Sequence, residues 1–195
     1  AGLWEAFGSA AATAHGHDFT WYAEKVIFDT AAVHEAGIEA VIVDLVRDPR
    51  DSFVSILAFD KKRGFSGFGR RDGQAAEAYL RSMLPAWKAG FAQAVECSDR
   101  PGHLLVRYED LVRDPHGSAA RFEESLDIDV DTDLVLESRG IYAHHMTTDG
   151  GSSSIGRWRT ELPPGEATAI LRALEPEMVM LGYAGSCEGD TTAST

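Results

Sequence analysis

One junction constrains this chain more than any other. The run Ala40-Val41-Ile42-Val43-Asp44-Leu45-Val46 is apolar and rich in β-branched residues, and Arg47-Asp48-Pro49 follows it directly. Such a run predicts a buried strand of a parallel sheet. Asp48 suits a helix N-cap, Pro49 the first helical position, and Asp51 the positive end of the helix that follows. Phe53, Ile56 and Leu57 then recur on neighbouring turns. The segment therefore reads as strand, sharp turn and helix. Arg47 stands at the carboxyl end of the strand, the edge at which open α/β sheets bind ligands. The helix amino terminus beside it offers backbone N–H groups that suit a phosphate. Arg47 adds a planar fork of donors, and Ser55 adds a hydroxyl in the second turn.

Around this junction the chain alternates in character. Short strands are expected over Phe19-Thr20-Trp21-Tyr22-Ala23, closed by Glu24-Lys25, and over His103–Tyr108. Helices are expected over 3–14, over Gly73–Glu96 with Pro85 placed to kink or divide it, over His116–Leu126, over 133–145 and over Glu161–Tyr183. Phe65–Gly73, rich in Gly and Arg, reads as a mobile loop. It either borders an acceptor site with Phe65 and Phe68 or is a plain connector. Thr147–Ser154 has the composition of a flexible linker. No metal site is expected. His15-Gly16-His17-Asp18 reads as a solvated turn, and the acidic run Asp127–Asp133 lacks the Gly and terminal Glu of a calcium loop.

A length of 195 residues favours one domain, placed at 1–183, with a polar flexible tail at 184–195. The net charge of −13 excludes broad nucleic-acid binding, which needs a basic surface. It leaves room for a local basic pocket, because Lys and Arg are concentrated in a few segments. Cys97 and Cys187 lack metal-ligand spacing and suggest a reducing compartment, so a cytoplasmic location is expected. No stretch reaches the apolar length of a membrane span.

The Arg47…Ser55 spacing resembles the sulfotransferases that use 3′-phosphoadenosine 5′-phosphosulfate (PAPS). In that family the strand-end Arg and a Ser eight residues later grip the 3′-phosphate of the nucleotide. Three further segments are similar to the same family. Lys25, 22 residues before Arg47, matches a Lys that neutralises the bridging oxygen as the sulfonate leaves. Arg107-Tyr108-Glu109-Asp110-Leu111, with Pro115 after it, matches a structural signature at a strand end. Gly156-Arg157-Trp158-Arg159 matches a late element that closes over the nucleotide, with Gly156 allowing close backbone approach, Arg157 supplying charge, and Trp158 packing on the helix face or the adenine. The resemblance covers residues 20–183.

It implies a three-layer α/β/α fold with a mainly parallel sheet, of the P-loop nucleotide-hydrolase-like, sulfotransferase type. It also implies PAPS as donor, 3′-phosphoadenosine 5′-phosphate as product, and a small-molecule or glycan acceptor carrying a hydroxyl or amine. Three departures stand out. Ile27 occupies the place where one branch has a catalytic His, so the general base is unassigned. Gly151-Ser152-Ser153 replaces a basic loop. The loop resembling Pro-Lys-Ser-Gly-Thr-Thr that holds the 5′-phosphosulfate is not found, so the first βα unit is expected to be missing, or to be supplied by a second chain. Two other readings stay open: a non-catalytic or incomplete nucleotide-binding subunit of the same fold, and a P-loop-type small-molecule kinase, against which the missing Gly-Lys-Ser/Thr loop argues.

Overall fold

The computed structural model describes residues 40–138, 140, 144 and 146–183, together with Ser9, Ala10, Thr13, Ala14, Ala23, Lys25, Val33, Glu35 and Gly37. The chain divides into two compact units, residues 1–42 and 43–195. In the first, Ser9, Ala10, Thr13 and Ala14 are helical, and Thr13 Oγ1 donates to the Ser9 carbonyl at 2.9 Å. Val33 and Glu35 are also helical. Ala23 and Lys25 lie outside any helix or strand, so the strand expected over Phe19–Ala23 is not formed at Ala23, the one residue of that run that is described. His15–Asp18 and the tail 184–195 fall outside the described residues.

The junction forms as its residues dictate. Strand β1 spans Ile42–Val46 and helix α1 spans Pro49–Arg63. The Asp48 side chain caps α1, accepting from the Arg50 N–H at 2.9 Å, and Pro49 opens the first turn. The helix stops at Gly64, whose φ of 75° is the left-handed conformation that glycine adopts without penalty. β1 is less enclosed than a parallel strand was expected to be. Ile42 and Val46 are buried, whereas Leu45 is 59% exposed and Val43 is also open. Its one described strand neighbour is β2, His103–Arg107, and the alternation of buried and open side chains shows that only one face of the run is covered.

The remaining elements are mostly helical. α2 is Ala76–Cys97, α3 Tyr108–Arg113, α4 Pro115–Leu126, α5 Thr132–Glu137, α6 Trp158–Glu161 and α7 Pro164–Met180. The described residues thus give a mixed α/β arrangement with a small parallel sheet and a majority of helix. Pro85 lies inside α2 without dividing it. An interior proline costs about 3 kcal/mol. Tyr79 and Leu80 before it and Ala94 after it are buried, and packing against α7 outweighs that cost. α7 presents Ile170, Leu174 and Met178, one turn apart and fully buried, to the same core. Phe53 of α1 enters between them, with Trp87 edge-on to its ring at 6.4 Å.

The helix expected over 133–145 forms in part: α5 spans Thr132–Glu137, and Ser138, Gly140 and His144 are in 3₁₀ conformation. One expectation about a less regular segment is corrected. Thr147–Ser154 is not a free linker at its end. Ser152–Ser154 form a turn of 3₁₀ helix, Ser154 is buried, and Gly151 sits against Val112 so closely that a Cβ there would lie 3.2 Å from Val112 Cγ1. Tertiary hydrogen bonds override the composition.

Candidate functional site

Arg47, just past the end of β1, lines a cleft of about 330 Å³ together with Asp44, Leu45, Ser52 and, on α2, Trp87 and Phe91. Its Nη2 donates to the Ser154 carbonyl at 2.7 Å, and its guanidinium lies over the Tyr108 ring at 4.5 Å. Tyr108 in turn exchanges a hydrogen bond with Ser154 Oγ at 2.9 Å. Arg47 Nε is buried and has no hydrogen-bond partner. A buried guanidinium N–H left unmade is costly and suits an anionic acceptor.

The helix amino terminus contributes less than its position suggests. Pro49 has no N–H, and the Arg50 N–H is already taken by Asp48. An anion at this end would rest mainly on side chains. Ser52, one turn into α1, lines the cleft beside Arg47, whereas Ser55 is half-buried further along the helix and lies outside the lining.

The first turn of α1 instead fastens the late element. Asp51, only 1% exposed, accepts from the Gly156 N–H at 2.6 Å and from the Trp158 N–H at 2.9 Å. Burial raises its carboxyl above the ordinary value, and the Trp158 and Gly156 amides pull it partly back. Gly156 has φ 78°, the left-handed conformation that favours glycine; the one atom a Cβ there would crowd is the end of the flexible Arg159 side chain. Trp158 is buried between two guanidinium groups, Arg50 at 3.8 Å and Arg159 at 4.6 Å from its ring centroid. Trp158 thus meets α1 through Arg50.

Arg157 is not free to meet a phosphate in this arrangement. It makes a two-pronged pair with Glu161, Nε to Oε1 at 2.7 Å and Nη2 to Oε2 at 2.8 Å, and its Nη1 donates to Thr147 Oγ1 at 2.9 Å. The bond to Glu161 raises the Arg157 value and lowers that of Glu161.

Behind the site lies a buried polar network that holds the cap in place. Arg50, 2% exposed, pairs with both oxygens of Asp48 and donates to the Tyr183 carbonyl at 2.9 Å. Glu109 accepts from the Asp48 N–H at 3.0 Å and from the Tyr183 hydroxyl at 2.8 Å. Burial raises the Tyr183 phenol, with Glu109 adding to the shift. The Arg107–Leu111 segment thus works structurally, joining the β1–α1 turn to the end of α7.

Arg47 lines the cleft, whereas Gly156 and Trp158 lie outside its lining and are fastened to Asp51 of α1, with Arg157 engaged by Glu161. Lys25 is exposed in the first unit. Sequence reasoning missed Asp51 as a ligand of backbone amides, Arg50 as the partner of Trp158, and Ser154 as the partner of Arg47. It also missed Asp44, which faces the cleft with Oδ2 3.3 Å from His103 Nδ1. A signal was available for the first two: Arg50 and Asp51 are charged residues beside Phe53 and Val54, on a turn that must be buried.

Comparison with known proteins gives one match. A family model described as "Sulfotransferase family" matches residues 4–132, more than half of the chain. That range includes Lys25, Arg47, Ser55 and Arg107–Pro115 and stops before Gly156. No curated protein and no solved structure matches.

Proposed function

This chain belongs to the sulfotransferase family, and we propose that it moves a sulfonate group from PAPS to an acceptor hydroxyl or amine. The observation that carries this reading is Arg47: a strand-end guanidinium lining a cleft, anchored on one side by Ser154 and Tyr108, with a buried Nε that has no partner. Those features fit an anion such as the 3′-phosphate of the donor. Ser52 and Ser55 would add hydroxyls from α1. Gly156, Arg157 and Trp158 form the element that would cover the nucleotide, with Asp51 setting its backbone. PAPS would supply the activated sulfonate. Lys25 would steady the negative charge that grows on the departing oxygen. In-line sulfonyl transfer, like phosphoryl transfer, relies on positioning and charge neutralisation. In this reading residues 1–183 form one three-layer α/β/α domain of the P-loop-like type, acting in the cytoplasm on a small-molecule or glycan acceptor.

Calorimetry tests the donor assignment. 3′-Phosphoadenosine 5′-phosphate should bind at least about tenfold more tightly than AMP, the effect of one charged hydrogen bond to the additional phosphate. Equal affinities would remove the 3′-phosphate from the reading.

A further inference from the structure

We infer that the loop after α1 is a docking platform for an anionic lipid surface. The chain carries a net charge of −13, yet residues 61–71 hold five of its 18 Lys and Arg and no acid: Lys61, Lys62, Arg63, Arg70 and Arg71. Two large aromatic side chains stand out from the same stretch, Phe65 at 52% and Phe68 at 60% exposure. A short loop that presents aromatic tips within a basic rim combines apolar insertion with attraction to acidic headgroups.

The loop is built to hold that display. Asp60, buried at the end of α1, accepts from the Gly67 N–H at 2.8 Å and lies 3.6 Å from Arg70. Arg70 also donates to the Gln74 carbonyl through Nε and Nη2, and the Tyr79 hydroxyl donates to the Phe68 carbonyl at 2.6 Å. Phe68 is kept at φ 51°, a conformation uncommon for a bulky residue. Its ring leans on Phe59 at 5.9 Å, and Arg63 stacks on Phe65 at 3.8 Å, which brings a cation to the aromatic tip.

Two observations favour a surface over a soluble acidic acceptor. Neither Phe65 nor Phe68 lines the cleft that holds Arg47. α1 carries the loop away from the Arg47 end, and because Phe68 and Gly67 pack back on Phe59 and Asp60 the platform stands about 15 Å along the helix axis. A group bound on the platform is therefore far from Arg47, as suits a tether. The preference for a surface over an acceptor rests on Arg47 marking the donor site, whereas flotation reads the platform without reference to the nucleotide.

Flotation of the full chain with vesicles tests it. At low salt the protein should float with vesicles containing about one third phosphatidylglycerol and not with pure phosphatidylcholine. Binding should fall as salt rises. Phe65→Ser combined with Phe68→Asn, whose side chain tolerates the left-handed backbone, should reduce the bound fraction about tenfold. Arg63→Gln combined with Arg71→Gln gives a second variant that keeps the Asp60–Gly67, Arg70–Gln74 and Tyr79–Phe68 bonds, and the same loss is expected. Both should keep the parent melting temperature and nucleotide affinity. Absence of flotation at low salt, flotation unchanged in both variants, or binding to a soluble acidic polysaccharide without binding to vesicles would each overturn the proposal.

Discussion

Arg47 and Ser154, 107 residues apart in sequence, are joined by one hydrogen bond of 2.7 Å from Nη2 to the Ser154 carbonyl. That bond fixes one edge of the guanidinium fork, and Tyr108 beneath it fixes the plane. The strand-end arginine and the late loop are therefore held as one unit. A ligand contacting the remaining edge of Arg47 meets a group whose rotamer is already chosen, which lowers the ordering cost of binding.

Replacing Arg47 should expose the value of that fork. A hydrogen bond to a charged group is worth about 1.5–3 kcal/mol, so Arg47→Ala should weaken 3′-phosphoadenosine 5′-phosphate about tenfold to a hundredfold. Arg47→Lys restores the charge without the planar geometry and should recover only part. Calorimetry on folded variants is the measurement. Parent-like affinity in both would make Arg47 a structural tie to Ser154 and nothing more.

The β1–α1 junction was legible because its determinants are local. Asp48, Pro49 and the apolar spacing from Phe53 are read within one turn of the residues that they act on. Gly156 was legible as a special backbone position, since the glycine itself is the signal for its φ of 78°. What Gly156 approaches was not. Asp51 reaches it across 105 residues, and nothing in the local pattern names that partner. Arg157 and Ser154 show the converse. Glu161, one turn after Arg157, could have been read as its partner, whereas the run of Ser and Gly before Ile155 concealed a buried anchor. The sheet was legible in type but not in extent, because a run of apolar residues does not reveal how many faces are covered.

Asp51 should leave a signature in the pH dependence of stability. Its folded carboxyl lies above the ordinary value, through burial first. A native acid that holds its proton more tightly than the unfolded chain contributes stability that is fully present below the unfolded value. That stability is lost as pH rises through the folded one. Asp51→Asn has no such titration. Across the acid range, wild-type stability minus variant stability in urea unfolding should therefore fall as pH rises. A difference that grows with pH would mean that the Gly156 and Trp158 amides outweigh burial.

Tyr183→Phe removes one hydroxyl and leaves Glu109 with a buried oxygen lacking its donor. The loss of a bond to a charged group predicts destabilisation of about 1.5–3 kcal/mol, read from denaturant midpoints at unchanged slope. Nucleotide affinity should move little, because Tyr183 touches Arg50 and Glu109 and lies outside the cleft lining. A stability change below about 0.5 kcal/mol would show that the link between α7 and the capped turn is dispensable.

Glu161 gives a way to ask whether Arg157 is recruited. Its carboxylate occupies two nitrogens of that guanidinium. If Arg157 swings to the nucleotide, it must first leave Glu161. Glu161→Ala removes the competitor, so it should strengthen bisphosphate binding by a few-fold, the scale of an ion pair whose carboxylate is open to solvent. Arg157→Ala should weaken binding, and the double variant should match Arg157→Ala. Stronger binding from Glu161→Ala that persists in the double variant would assign the gain to lost negative charge near the site.

Lys25 should matter to turnover and not to binding. Its proposed partner is the bridging oxygen, whose negative charge grows only as the sulfonate departs. An interaction that strengthens in the transition state acts on kcat and leaves ground-state affinity almost unchanged. Removing one such preorganised donor costs about 10²–10³ in rate. Lys25→Ala should therefore bind 3′-phosphoadenosine 5′-phosphate as the parent does and transfer sulfonate far more slowly. Its exposed position outside any helix or strand makes a large loss of stability unexpected, so the variant is a clean probe. The measurement is single-turnover transfer from labelled PAPS, run beside nucleotide affinity on protein shown to be folded. A variant that lost affinity while keeping its single-turnover rate would make Lys25 a ground-state phosphate ligand. One unchanged in both would place the lysine outside the reaction.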